Sequence, residues 1–352
     1  TYDLLAIGGV DVSTNLPFEG TLKAPAGSTI LNPLTTMIQA IASNGLDASA
    51  SEADRAQAIA DAELTLKRAL NLPDAPLTSL DLIKISFSAD DSKDVTSSVA
   101  MELQAKSVML ANLIKTGASA LQGASIGGDQ IEDAGRFVIQ SLVQNLKSAS
   151  ESRQAIQLAD SSVIGAVLTA ALSNASQEDG LQINLSKASE AMAASSLALA
   201  SVNEYIFAAA GSATNSGDSA QALTQIIQAQ VLAQRDLSNI LKSSSGDLTQ
   251  VAALSNVSEV RARAAEVDTS NLVLTPGVSA QTLAADTIAP TVLRVGAKAD
   301  ALTAYREGDS LIVGVGFSEG ILVRKPLDGW ISPDGLPSVG TPTYTFSIGG
   351  QT

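Results

Sequence analysis

From about residue 31 to residue 267 the apolar residues fall on one side of successive helical turns, and Ala and Ser fill most of the positions between them. That rhythm dictates packed helices, because a 3.6-residue period brings such positions onto one face. Aromatic residues make up only 3% of the 352-residue chain, so its core must be built mainly from Leu, Ile, Val and Ala. Small side chains let helix axes approach toward the lower end of the usual separation of about 8 to 10 Å, which favours a compact antiparallel bundle. No exact repeat is visible, which argues against a solenoid while leaving a helical array open.

Helix boundaries are written in local signals. Asn32-Pro33 supplies an N-cap with proline at the first helical position, and Leu34, Met37, Ile38 and Ile41 share a face up to Asn44-Gly45. Ser51-Glu52-Ala53-Asp54 has the form of a capping box and opens a second helix that runs to Leu70, ahead of Pro73. Leu77 to Phe87 fits a helical turn followed by a short strand. A long helix is expected after Asp90-Asp91 and up to Gly123, with four more near residues 129–148, 160–174, 185–209 and 218–242. The last of these is the clearest, since Leu223, Ile226, Ile227, Val231, Leu237, Ile240 and Leu241 paint one stripe. A final helical piece carries Val257, Val260 and Val267.

The flanks read differently. Residues 1–30 carry strand-like fragments, Leu4 to Ile7 and Gly20 to Lys23, broken by Gly8-Gly9, Pro17 and Pro25-Ala26-Gly27, and are expected to be the end of a preceding β domain. Residues 268–289 read as an extended linker, and residues 290–352 as a β-patterned region that stops before a sandwich is complete. Together with the absence of an initial Met, this predicts a segment cut from a longer chain.

Composition removes whole classes of chemistry. With no Cys and no His, the chain has no thiolate nucleophile, no disulfide, no imidazole base and none of the commonest ligands for zinc, copper or haem iron. A net charge of -15 opposes binding to nucleic acid or to an anionic membrane surface, and no apolar run approaches the ~20 residues needed to span a bilayer. Ser-Lys pairs such as Ser186-Lys187 and Lys242-Ser243 are what Ser-rich helices produce, and the carboxylate doublets Glu132-Asp133 and Asp90-Asp91 sit where helix dipoles favour acids. Gly123 to Gly128 lacks the spacing and the lysine of a phosphate cradle. No catalytic residue is assigned. Asp286, Glu307, Asp309 and Glu319 supply hard oxygen ligands near strand ends and turns, and are the candidate calcium ligands.

The C-terminal motifs resemble a known family. Asp286-Thr287-Ile288-Ala289-Pro290 leads into Thr291 to Val295; Glu307-Gly308-Asp309 precedes Leu311 to Glu319 with its Phe317-Ser318-Glu319 triplet; Gly340-Thr341-Pro342 steps into Thr343 to Phe346. In that order these are similar to the bacterial Ig-like repeats of giant secreted surface proteins. The stretch Lys325 to Ser338, with Trp330, departs from that pattern as an enlarged loop. Gly8-Gly9-Val10-Asp11, Ala24-Pro25-Ala26-Gly27 and Pro33-Leu34-Thr35-Thr36 resemble a segment of large repeat-containing secreted proteins. The resemblances cover a quarter to a third of the chain, and the central helices rest on pattern alone.

The expected fold class is therefore multidomain α+β: an Ala/Ser-rich helical bundle over residues 31–267, flanked by the β-rich N-terminal segment and a partial Ig-like β-sandwich over residues 290–352. The resemblance implies a non-enzymatic structural or adhesive segment of a large exported bacterial surface protein, located outside the cell. Its expected partners are identical copies, neighbouring domains of the same chain, or a surface glycan or protein ligand. Two alternatives stand beside it: an accessory region of a secreted polysaccharide- or protein-degrading enzyme, and a subunit of a self-assembling surface layer, sheath or filament.

Overall fold

The computed structural model describes residues 3–11, 14, 16–18, 20–47, 49–87, 95–126, 131, 133–214, 216–243, 247–268, 292–298 and 312–317. The chain divides into two units, Thr1–Ala289 and Pro290–Thr352.

The first unit is helical. Its helix α1 (Pro33–Ser43) begins where the sequence places a cap: Thr35 N donates to Asn32 Oδ1 at 2.9 Å, and Asn32 N donates to Thr35 Oγ1 at 2.9 Å. These reciprocal bonds satisfy two donors that a helix start leaves without partners. Helix α2 (Glu52–Leu70) opens with the same device between Ser51 and Asp54, and ends at Asn71 in the left-handed region, φ 48°. The ambiguous stretch after Leu77 forms a short helix, α3 (Leu82–Ser86), capped by Asp81, and makes no strand.

Two long helices organise the rest. Helix α4 (Ser97–Gly123) and helix α7 (Leu185–Ser212) have 27 and 28 residues, or about 40 Å each. They pack on one another, with α5 (Gly135–Ser152) against α4 and α6 (Ser161–Ser176) wedged between α5 and α7. Leu103, Leu110, Leu113, Leu121, Phe137, Leu142, Leu168, Leu199 and Ile206 are buried in one continuous core that also takes in α1 and α2. Small residues set the helix spacing: a Cβ added at Gly117 would stand 2.7 Å from Val138 Cγ2 and 2.8 Å from Leu168 Cδ2.

The stripe read over residues 218–242 does lie against the core, but not as one regular helix. Helix α8 (Ser219–Val231) passes into a π-helical turn (Leu232–Leu237) and resumes as α9 (Ser238–Lys242). Leu223, Ile226, Ile227, Val231, Leu237 and Leu241 are buried, and Ile240 is half-buried. Two short helices follow, α10 (Leu248–Ala253) and α11 (Val257–Ala265), both packed on α7.

At the N-terminus, β1 (Leu4–Ile7) pairs antiparallel with β4 (Thr21–Ala24), and β2 (Val10–Asp11) with β3 (Leu16–Pro17). These strands lie on the helices: Lys23 N donates to Thr36 Oγ1 at 3.0 Å, and the Thr36 hydroxyl donates back to Lys23 O at 3.1 Å.

The expected α+β architecture with a partial Ig-like β-sandwich is corrected by this fold, which is mostly helical. In the unit Pro290–Thr352 the described residues form β5 (Val292–Lys298) and β6 (Ile312–Phe317), one antiparallel pair. A sandwich needs two sheets with their inner faces packed together, and a strand pair is a single layer. Gly296 stands opposite Gly314 and Arg294 opposite Gly316, with an irregularity between Val292 and Arg294. Glycine at those positions removes the cross-strand side-chain pairs that stabilise a sheet. Alternating residues specify a strand, and nothing in a short alternating run specifies the second layer.

Candidate functional site

The four candidate calcium ligands, Asp286, Glu307, Asp309 and Glu319, lie outside the described residues, as do Asp90, Asp91, Glu132 and the loop holding Trp330. The Ser186-Lys187 pair does not converge. Ser186 Oγ donates to Glu190 Oε1 at 3.3 Å, whereas Lys187 Nζ turns the other way and donates to Gly123 O at 2.6 Å.

Two grooves stand out among the described residues of the first unit. The larger, of about 850 Å3, runs between the N-terminal strands, α1 and α2. Its lining joins apolar Ala26, Ala42, Leu46, Ala56 and Ile59 with polar Asp3, Gln39, Ser43, Asp47, Glu52 and Arg55. Its carboxylates already serve the fold. Asp3 Oδ1 accepts from Ala26 N at 3.1 Å and Asp3 Oδ2 from Gln39 Nε2 at 2.7 Å, while Asp47 Oδ1 accepts from Ser49 N at 2.9 Å. The Ser49 backbone N–H, seconded by its hydroxyl, holds the Asp47 carboxyl below the usual carboxylate range.

The smaller groove, about 530 Å3, lies beside the π-helical turn and includes Arg235, Asp236, Asn239, Gln250, Arg263 and Glu266. Each guanidinium is matched by a neighbour. Arg235 holds Asp236 through bonds of 2.5 and 3.1 Å, and Arg263 Nε meets Glu259 Oε1 at 2.8 Å. Such matched charges leave little attraction for a separate anion. Among the described residues no group of three or more acidic side chains is arranged to hold a metal ion.

The most distinctive polar chemistry sits at helix ends. Lys106 Nζ donates to Leu70 O, the last residue of α2, at 3.1 Å; Lys187 Nζ reaches Gly123 O, the last residue of α4; Lys147 Nζ reaches Asn44 O, just past α1, at 3.0 Å. In each case a lysine from one helix places its ammonium on the terminal carbonyls of another. Those carbonyls lack intrahelical partners and carry the negative end of the helix dipole. Lys106 is only 6% exposed and lies 5.9 Å from the centre of the Phe207 ring on α7. Burial pushes its ammonium below the ordinary lysine range, opposed by Glu102 one turn back.

Sequence reasoning did not single out Lys106 or Lys147, and named Lys187 only as half of a Ser-Lys pair. One signal was present: Leu103, Lys106, Leu110 and Leu113 recur at helical spacing, so a lysine occupies an inward position of α4. No helix among the described residues is long and apolar enough to cross a membrane. Set against known proteins, the chain finds no match, whether to a family model, to a curated protein or to a solved structure.

Proposed function

We propose that the chain is a non-catalytic, structural or adhesive segment of a large exported bacterial surface protein, in which the helical unit serves as a stiff module. The observation that carries this reading is the bracing of helix ends by Lys106, Lys147 and Lys187, each of which binds a carbonyl at the end of a second helix. Braced ends resist the fraying and sliding by which helical bundles yield to load. A chain without Cys or His suits a life outside the cell, where it needs neither a protected thiol nor a resident transition metal. The module's partners in this reading are neighbouring domains of its own chain, identical copies, or a surface glycan or protein ligand.

Two measurements on the protein test the proposal. Protease treatment of intact cells should release peptides from residues 33–265 without lysis; peptides that appear only after lysis would sink the surface assignment. Under mechanical load the helical unit should unfold in one cooperative step, at lower force in a Lys106→Met, Lys147→Met, Lys187→Met triple variant. Stepwise yielding helix by helix, or an unchanged force, would remove the bracing argument.

A further inference from the structure

Helix α4 carries three polar side chains that are wholly buried: Asn112, Thr116 and Ser119, each 0% exposed. Asn112 Nδ2, Thr116 Oγ1 and Ser119 Oγ have no hydrogen-bond partner in the protein. At about 100° per residue, positions 112, 116, 119 and 123 fall within one stripe roughly 60° wide. Both ends of that stripe are located by contacts with the same neighbouring element. Gln234 Nε2, in the π-helical turn, donates to Asn112 Oδ1 at 3.1 Å, and Gly123 is so close to α9 that an added Cβ would lie 1.8 Å from Leu241 O. Thr116 and Ser119 lie between those two points, so they face the backbone that runs from the π-turn into α9.

An unpartnered buried hydroxyl or amide costs about 1 to 3 kcal/mol, and native interiors rarely tolerate three on one strip of helix. The facing element is suited to relieve them. A π-helical turn has five-residue hydrogen-bonded loops and a wider, irregular backbone, and Ser238, also 0% exposed, spends its hydroxyl on Ala233 O at 3.1 Å rather than on α4.

We propose that the seam between α4 and the π-turn is a hydration site, binding ordered internal water that accepts from Asn112 Nδ2 and bridges the Thr116 and Ser119 hydroxyls. Water is the ligand whose chemistry fits: it can accept from the amide, and donate to or accept from each hydroxyl, and buried water typically makes about three such bonds. The bound water is then part of what holds the π-turn in place of a regular α-helix. This inference stands independently of the proposed surface role.

The test compares the full chain with Thr116→Val, Ser119→Ala and the double variant. Valine keeps the shape of threonine and deletes the hydroxyl. With water bound, each substitution removes a bridge and lowers the thermal midpoint by about 2 to 4 °C, and the double variant loses less than the sum because both hydroxyls share the same water. A dry seam gives the opposite result, since Thr116→Val then removes an unpaired polar group. A midpoint that rises or stays put overturns the proposal. Magnetic relaxation dispersion of solvent water provides an independent readout: the double variant should show fewer long-lived internal waters than the parent, and equal counts also overturn it.

Discussion

Replacing Gly123 by alanine tests whether α4 and α9 pack as closely as the structure has them. The new Cβ would lie 1.8 Å from Leu241 O and 2.9 Å from Leu241 C, against an ordinary contact of roughly 3.5 Å. Backbone blocks it, so the two helices must separate by more than an ångström, at the end of α4 where Lys187 also binds. Overpacking of this kind costs about 1 to 3 kcal/mol or more, and alanine returns at most about 1 kcal/mol of helix propensity. Because the obstacle is backbone the cost falls in the upper part of that range, and the net loss is about 1 to 2 kcal/mol, or a fall of roughly 2 to 8 °C in melting temperature, measured by circular dichroism at the helix band. Gly165→Ala is the internal control. There the added Cβ meets Ser196 Cβ at 3.7 Å, an ordinary contact, so alanine should stabilise by about 0.4 to 1 kcal/mol. Gly117→Ala belongs between the two, since the atoms it meets, in Val138 and Leu168, are side-chain ends that can turn aside. If Gly123→Ala melts at or above the parent while Gly165→Ala behaves as expected, the close approach of α4 and α9 is wrong.

Asn32→Ala should cost about 1 kcal/mol through loss of the cap on α1, read from chemical denaturation, and Asn32→Asp should recover most of it. Lys187→Met should lower stability by about 1 to 2 kcal/mol, with the loss shrinking in high salt if the dipole attraction contributes. Acidification gives a signed prediction. The hydroxyls of Ser51, Ser162 and Thr249, seconded by backbone N–H groups, hold Asp54, Asp160 and Asp247 below the ordinary carboxylate value of 3.8. Their stabilisation is therefore complete above that value and lost as pH falls through the lower folded values. Melting temperature should decline below pH about 4, and less steeply when the three are replaced by Asn.

The starts of α1 and α2 were the most legible part of the sequence, because capping is local chemistry, whereas α4 and α5 begin at Ser97 and Gly135, several residues past the starts expected after Asp91 and near residue 129. Asn32 with Thr35, and Ser51 with Asp54, form the bonds their spacing promises. Helix α10 escaped notice since its six residues bury one apolar side chain, Val251. The π-turn left no trace in the pattern, since Leu232 and Ala233 lie between Val231 and Leu237 and Ala233 stands four residues before Leu237, as in a regular helix. The lysine braces and the Asn112–Gln234 bond depend on partners 36 to 122 positions away, among them Leu70 and Gln234, and no local pattern encodes a pairing at that range. The expected β-sandwich failed for the same reason: motifs such as Phe317-Ser318-Glu319 fix where a strand runs and leave open what lies across from it.

The seam between α4 and α9 joins parts of the chain that emerge from the ribosome far apart in time. Until residues 232–242 are made, the C-terminal half of the side of α4 that awaits them presents an amide, two hydroxyls and a bare glycine, Asn112, Thr116, Ser119 and Gly123, instead of a greasy strip. A half-made chain can wait in water with that side uncovered and offer passing chains little to stick to.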